Sequence, residues 1–160
     1  MKIAKFFMVK LLEIMRNSFA IFGFYLAYVY YAEAQYNSAL LMLIVFVVIP
    51  LTGLTAIESI FFSNMAAKAK GREIGSPYQI QSGLNNLAVA ITALIVWLFN
   101  WGVYANLTVL FVALIFFALS SINHAVEFFR QGNKKIVHLM RPILSLLLVL
   151  AALPIISKTL

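Results

Sequence analysis

Long apolar runs separated by short polar stretches organise this chain. They cover Ser18–Tyr31, Ser38–Phe62, Leu84–Phe99, Ala105–Phe129 and Ile143–Ile156. A helix needs roughly 20 residues to cross the hydrocarbon core, with about 17 workable. The second and fourth runs reach that length alone; the others need flanking residues. The pattern predicts an all-α membrane protein, a bundle of five transmembrane helices at about 18–36, 38–62, 84–101, 105–129 and 143–158, forming a single domain over residues 1–160.

Local signals refine these elements. Residues 1–17 read as an amphipathic helix, with Lys2, Lys5, Lys10, Glu13 and Arg16 on one face and Ile3, Phe6, Phe7, Leu11 and Ile14 mostly opposite. Such a segment either lies in the interface or runs straight into the first span. The second helix is expected to continue to Lys70, kinked at Pro50 and stopped by Gly71. Ser76 and Pro77 suit the N-cap and first position of the third helix, and Gln79 sits where a capping box needs it. Gly132 should close the fourth helix and Pro142 open the fifth.

Composition agrees with a membrane location. Apolar residues make up 64% of the 160 positions and charged ones 11%, too few to give a soluble domain a polar skin. The chain has no cysteine, which excludes disulfides, thiolate metal sites and thiol catalysis. The net charge of +7 comes from twelve basic residues, and in the five-span topology all but Lys158 fall on one side. The positive-inside rule then places the N-terminus in the cytoplasm and the C-terminus outside, in a multi-pass protein of a bacterial inner membrane. Tyr28, Tyr30, Tyr31, Tyr36, Trp97, Trp101 and Tyr104 gather at the opposite interface. Ala32-Glu33-Ala34 after the first apolar run imitates a signal-peptide cleavage site, but the charged region before it is long for such a peptide, so a retained span is expected. The basic residues are scattered over three loops. That pattern fits membrane lipids as partners, with further protein partners or a homo-oligomer in the membrane, and not nucleic acid.

Ionisable and amide side chains inside the spans mark candidate chemistry, because a charge there is costly. Glu58 lies near the end of the second run. His124 and Glu127 lie in the last turns of the fourth and, at i, i+3, share a helix face, with Asn123 adjacent to Glu127 at i, i+4. The third helix adds Gln79, Gln81, Asn85 and Asn86. Topology brings these eight residues to one depth, that of the basic loops, as a candidate ligand-binding pocket; interhelical packing would use the same groups. His124, Glu127 and Glu58 make an incomplete metal set, His138 reads as a loop residue, and neither a metal nor another cofactor is expected. The chain has no Ser-His-Asp set, no phosphate-binding glycine loop and no inverted repeat.

The run Phe61-Phe62, Ile74-Gly75-Ser76-Pro77-Tyr78-Gln79, Gly83, Asn86-Leu87-Ala88 and Asn123-His124 resembles a family of small bacterial membrane proteins of unknown function. Its members carry Gly-Ser-Pro-Phe-Gln-x-Glu-x-Gly-x-x-Asn-Leu-Ala and a later Gly-His. The likeness covers roughly residues 55–157. Gln81 stands where the family has Glu, and Asn123 where it has Gly, so an acid at position 81 is lost. More distantly the chain is similar to DoxX-like membrane proteins, some of which are linked to quinone-coupled sulfur or redox chemistry. The resemblance implies a helical bundle and draws attention to Gln79, Gln81, Asn86 and His124.

Three functions are therefore expected in descending order. The first is binding of a small amphipathic ligand, lipid- or quinone-like, in a polar pocket of the cytoplasmic leaflet. The second is a non-catalytic subunit or assembly factor of a larger membrane complex. The third is a membrane enzyme using His/Glu proton transfer.

Overall fold

A computed structural model describes residues 2–130 and 132–160, with side chains from Phe6 onward. The described residues form six helices and no strand: α1 (Lys2–Ala32), α2 (Tyr36–Phe61), α3 (Ser63–Ala69), α4 (Pro77–Leu98), α5 (Val103–Phe129) and α6 (Ile136–Thr159). Among them α2, α4, α5 and α6 are long and apolar enough to cross a membrane. The long helix α1 lies outside that set of four, where the sequence pattern led us to expect a fifth span. Its apolar stretch carries Arg16 and Asn17 at one end and Tyr25, Tyr28, Tyr30 and Tyr31 at the other, which lowers its mean hydropathy. The chain is thus a multi-span membrane protein with four candidate crossings and one long companion helix.

The N-terminal segment runs into α1 without a break, so no separate interfacial helix forms. The part of its expected amphipathic face made by Lys2, Ile3 and Lys5 lies outside the described side chains.

The central element is α2, which touches α1, α4, α5 and α6. Its inward face is Ala39, Leu40, Leu43, Ile44, Val47 and Val48, all nearly inaccessible. These pack with Ala27, Ala93, Val96, Leu107, Leu110, Ala113, Ala152 and Ile155 into one apolar core. Small residues recur at the contacts, as expected where lipid supplies no hydrophobic driving force between helices and close backbone approach must replace it. Large side chains turn outward instead, among them Leu146, Leu147, Leu150 and Leu153 on α6. Tyr28 ties α1 to α6 by donating its hydroxyl to the Ala151 carbonyl, 2.9 Å away.

Pro50 disturbs α2 as the sequence requires. It has no N–H to offer the carbonyl four residues back. The turns before it, Leu43–Val48, widen to a π-helix, the usual response to an interrupted ladder. Thr52 and Thr55 return their hydroxyls to carbonyls of their own helix, at 2.7 and 2.6 Å.

Two boundaries differ from expectation. The second helix does not reach Lys70: Phe62 leaves helical geometry (φ −121°, ψ 24°), and α3 continues in a new direction to the left-handed Gly71 (φ 66°). A straight helix would separate Glu58 from Lys70 by about 18 Å along its axis, yet their side chains meet at 2.7 Å. The break makes that meeting possible. Pro142 does not open the last helix either. Lys135 is the N-cap, α6 starts at Ile136, and Pro142 lies inside it. His138 is therefore a helical, fully buried residue and not part of a loop.

The expected start of α4 holds, with Ser76 extended at the N-cap and Pro77 at the first position, but the Ser76 side chain makes no capping bond. Gln79 is buried instead. Gly83 brings α4 against α2: a Cβ there would lie 2.9 Å from Ser59 Cβ and from Ile60 Cγ1. Gly53 leaves room, with the nearest atom, Ala90 Cβ, 3.7 Å from its added Cβ. Gly83→Ala should therefore destabilise the bundle by about 1–3 kcal/mol through overpacking. Gly53→Ala should be neutral or stabilising by up to about 1 kcal/mol. Thermal unfolding of both variants in detergent checks the contrast; equal effects would refute the close α2–α4 contact.

Candidate functional site

The end of the bundle that bears the basic residues is built differently from its apolar half. Glu58, 1% exposed, sits one turn before the end of α2. Its two carboxylate oxygens take separate cations: Arg16 of α1 at Oε2 and Lys70 at Oε1, each at 2.7 Å. Arg16 also donates to Thr55 at 3.3 Å and lies 3.8 Å from Glu13. One buried carboxylate thus joins α1, α2 and the segment after α3.

A second cluster lies beside it. Arg72 donates through Nε and a terminal nitrogen to the two oxygens of Glu127. Asn123 donates to Glu127 Oε1 at 3.2 Å, which realises the expected i, i+4 contact. His124 and His138 face each other with Nδ1 atoms 2.8 Å apart, and His138 Nδ1 is 3.2 Å from Glu127 Oε2. His138 Nε2 lies 2.7 Å from the Lys70 carbonyl. A carbonyl only accepts, so this nitrogen carries a proton. Asn133 donates to the Lys70 and Gly71 carbonyls at 3.0 and 3.1 Å. The short stretch Lys70-Gly71-Arg72 is therefore bound to α2, α5 and α6 together.

His124, Glu127 and His138 offer ligand atoms within 4.8 Å of one another, a set that could hold a metal ion. Arg72 opposes it. Its guanidinium occupies both Glu127 oxygens and comes within 3.5 Å of His124 Nδ1. At an effective dielectric of 20, a dication about 4 Å from that charge is repelled by roughly 8 kcal/mol. That is comparable to much of what a full set of zinc ligands supplies, about 10–16 kcal/mol.

Between α1, α2, α4, α5 and α6 lies a cavity of about 390 Å³. Arg16, Glu58, Lys70 and Arg72 line its charged side, joined by Arg141 of α6. Gln79, Ser82 and Asn86 of α4 face it, and Leu51, Phe116, Phe117, Leu144 and Leu148 form an apolar wall. Asn86 is 2% exposed and donates to the Ser82 carbonyl at 2.8 Å, while its Oδ1 has no partner among the described residues.

The eight residues singled out from sequence divide accordingly. Glu58, Gln79 and Asn86 line the cavity. His124 and Glu127, with Asn123 at their side, form the adjoining cluster. Gln81 and Asn85 are exposed on the outer side of α4. The cationic half was missed, because Arg16, Lys70, Arg72 and Arg141 read as orientation signals. Its one sequence cue was Glu58 itself, a carboxylate inside an apolar run that contains no cation.

A bundle of membrane-spanning helices with a charged cavity at one end is the class defined by this fold. The chain matches a family of unknown function, DUF6790, over residues 13–158 and belongs to it. No curated protein and no solved structure matches the chain.

Lys70 supplies a pH test. Burial pushes its ammonium pKa down from 10.5 to about 8; the charge of Arg141 adds to the effect, and Glu58 partly opposes it. Between those values the unfolded chain keeps a proton that the folded chain has released. This site's contribution to stability therefore rises with pH across that window. Competitive amine labelling read by mass spectrometry should show Lys70 half-converted to the reactive free amine near pH 8. A midpoint near 10.5 would refute the buried environment.

Proposed function

We propose that this protein binds a small amphipathic ligand, lipid- or quinone-like, in the cavity at its basic end. The observation that carries this reading is the cavity's two-sided wall. One side presents charged and amide groups, including the unpartnered Asn86 Oδ1, and the other presents Leu51, Phe116, Phe117, Leu144 and Leu148. Its volume of about 390 Å³ falls within the usual range for small-molecule sites. A purely polar solute would leave the apolar wall wet, and an apolar one would leave Asn86 unsatisfied.

The same proposal places the protein in a bacterial inner membrane with α1 as a fifth crossing. Support comes from α1 running along the whole of α2 and from the basic residues gathered at one end. The cavity then opens in the cytoplasmic leaflet. With five crossings the termini lie on opposite sides. A C-terminal tag should be accessible to an impermeant reagent outside the cell membrane, and an N-terminal tag should not. Both tags on one side would overturn the fifth crossing.

Ser121 lines the cavity and is only partly buried. Ser121→Trp should fill much of it. Native mass spectrometry of the detergent-purified protein should show an amphiphile retained by the wild type and at least a tenfold lower occupancy in the variant. A melting temperature within a few degrees of wild type establishes that the variant is folded. Undiminished occupancy in a folded variant would refute the cavity as the site.

A further inference from the structure

The charges around the cavity do not cancel. Four cations, Arg16, Lys70, Arg72 and Arg141, line it against two carboxylates, Glu13 and Glu58. Glu127 lies behind Arg72 and neutralises it. Glu58 is shared by Arg16 and Lys70, and Glu13, on the exposed side of Arg16, is 3.8 Å from it. Arg141 is left with no ion-pair or hydrogen-bond partner among the described residues, although it is partly buried between apolar neighbours on α6. A guanidinium with its five donors uncommitted, in a cavity already positive, calls for an anion.

We infer that the ligand's head is an oxyanion, a phosphate ester or carboxylate, held by the guanidinium of Arg141. This rests on the amphiphile reading above and narrows it from any lipid- or quinone-like molecule to an acidic one. Arginine binds such heads through two parallel N–H donors, which a neutral quinone carbonyl cannot match. Lys70 flanks the same space with its ammonium on Glu58, and Gln79, buried and lining the cavity, brings an amide donor. The apolar wall of Phe116, Phe117, Leu144 and Leu148 then takes the first part of an acyl chain. Basic pockets between spanning helices bind acidic headgroups by this division of labour.

The test uses the full chain in neutral detergent with three probes: phosphatidylglycerol, diacylglycerol with the same acyl chains, and inorganic phosphate. Native mass spectrometry reads the occupancy of each. The expected result is at least a tenfold preference for phosphatidylglycerol over diacylglycerol. Arg141→Gln should abolish that preference while keeping diacylglycerol binding, which also shows that the variant folds. Arg141→Lys should restore part of it. Arg130→Gln, a change at an exposed basic residue of the same end, should leave it unaltered. Displacement of the acidic lipid by inorganic phosphate at similar concentration would support the oxyanion site and assign its source to a soluble anion. Equal binding of the two lipids would overturn the oxyanion inference and leave the amphiphile reading standing. Binding of neither lipid nor phosphate would overturn both.

Discussion

The ion pairs of Glu58 hold the basic end of this bundle together. A carboxylate 1% exposed inside a spanning helix is tolerable only when partners replace its lost water. Here two cations do so from different directions, one on α1 and one beyond α3. Removing one member of such a buried pair typically costs about 3–5 kcal/mol, because its partners stay buried and charged. The requirement propagates outward. Lys70 reaches Glu58 only because α2 ends at Phe62, and the turned-back chain then delivers the Lys70 carbonyl to His138 and the Arg72 guanidinium to Glu127. The break in α2 and the left-handed Gly71 bring the chain back so that Lys70 meets Glu58 and Arg72 meets Glu127.

The two halves of the molecule are held by different forces. Toward the far end, Ala27, Ala39, Ala93, Ala113 and Ala152 allow helices to approach closely, and dispersion does the work that the hydrophobic effect does in water. Toward the basic end, hydrogen bonds and ion pairs take over among α1, α5 and α6, while α2 and α4 stay in close contact at Gly83. The exchange has a geometric consequence. Long side chains anchored to one another across helices keep those helices apart, and the space between them remains open.

Sequence made the crossings legible and left the contacts hidden. Hydropathy identifies α2, α4, α5 and α6 because each contains a long apolar run. The same measure leaves α1 out, because its tyrosines and Arg16 dilute its apolar stretch. Proline positions carry two meanings that periodicity does not separate: Pro77 opens α4, whereas Pro142 lies inside α6. Reading Pro142 as a start displaced His138 into a loop and removed it from the candidate site. The intramembrane acids and amides were found because hydrocarbon makes them costly. Their cations were not, because a lysine or arginine beside a span already has an explanation in topology. Nothing in one-dimensional spacing shows that the chain turns at Phe62 and brings Lys70 back by twelve positions to Glu58.

That turn also explains why the cavity does not collapse onto its own charges. Arg16 and Lys70 are held against one wall by Glu58, and Arg72 is held at the lining by Glu127 behind it. Each long side chain that could fill the space is committed elsewhere by an interaction at or below 3.0 Å. Arg141 is the exception: no carboxylate on α5 or α6 reaches it, since Glu127 is already bridged by Arg72. A guanidinium facing an open space with its own counter-charges spent is an arrangement that folding alone leaves costly. The anion that would complete it must come from outside the chain.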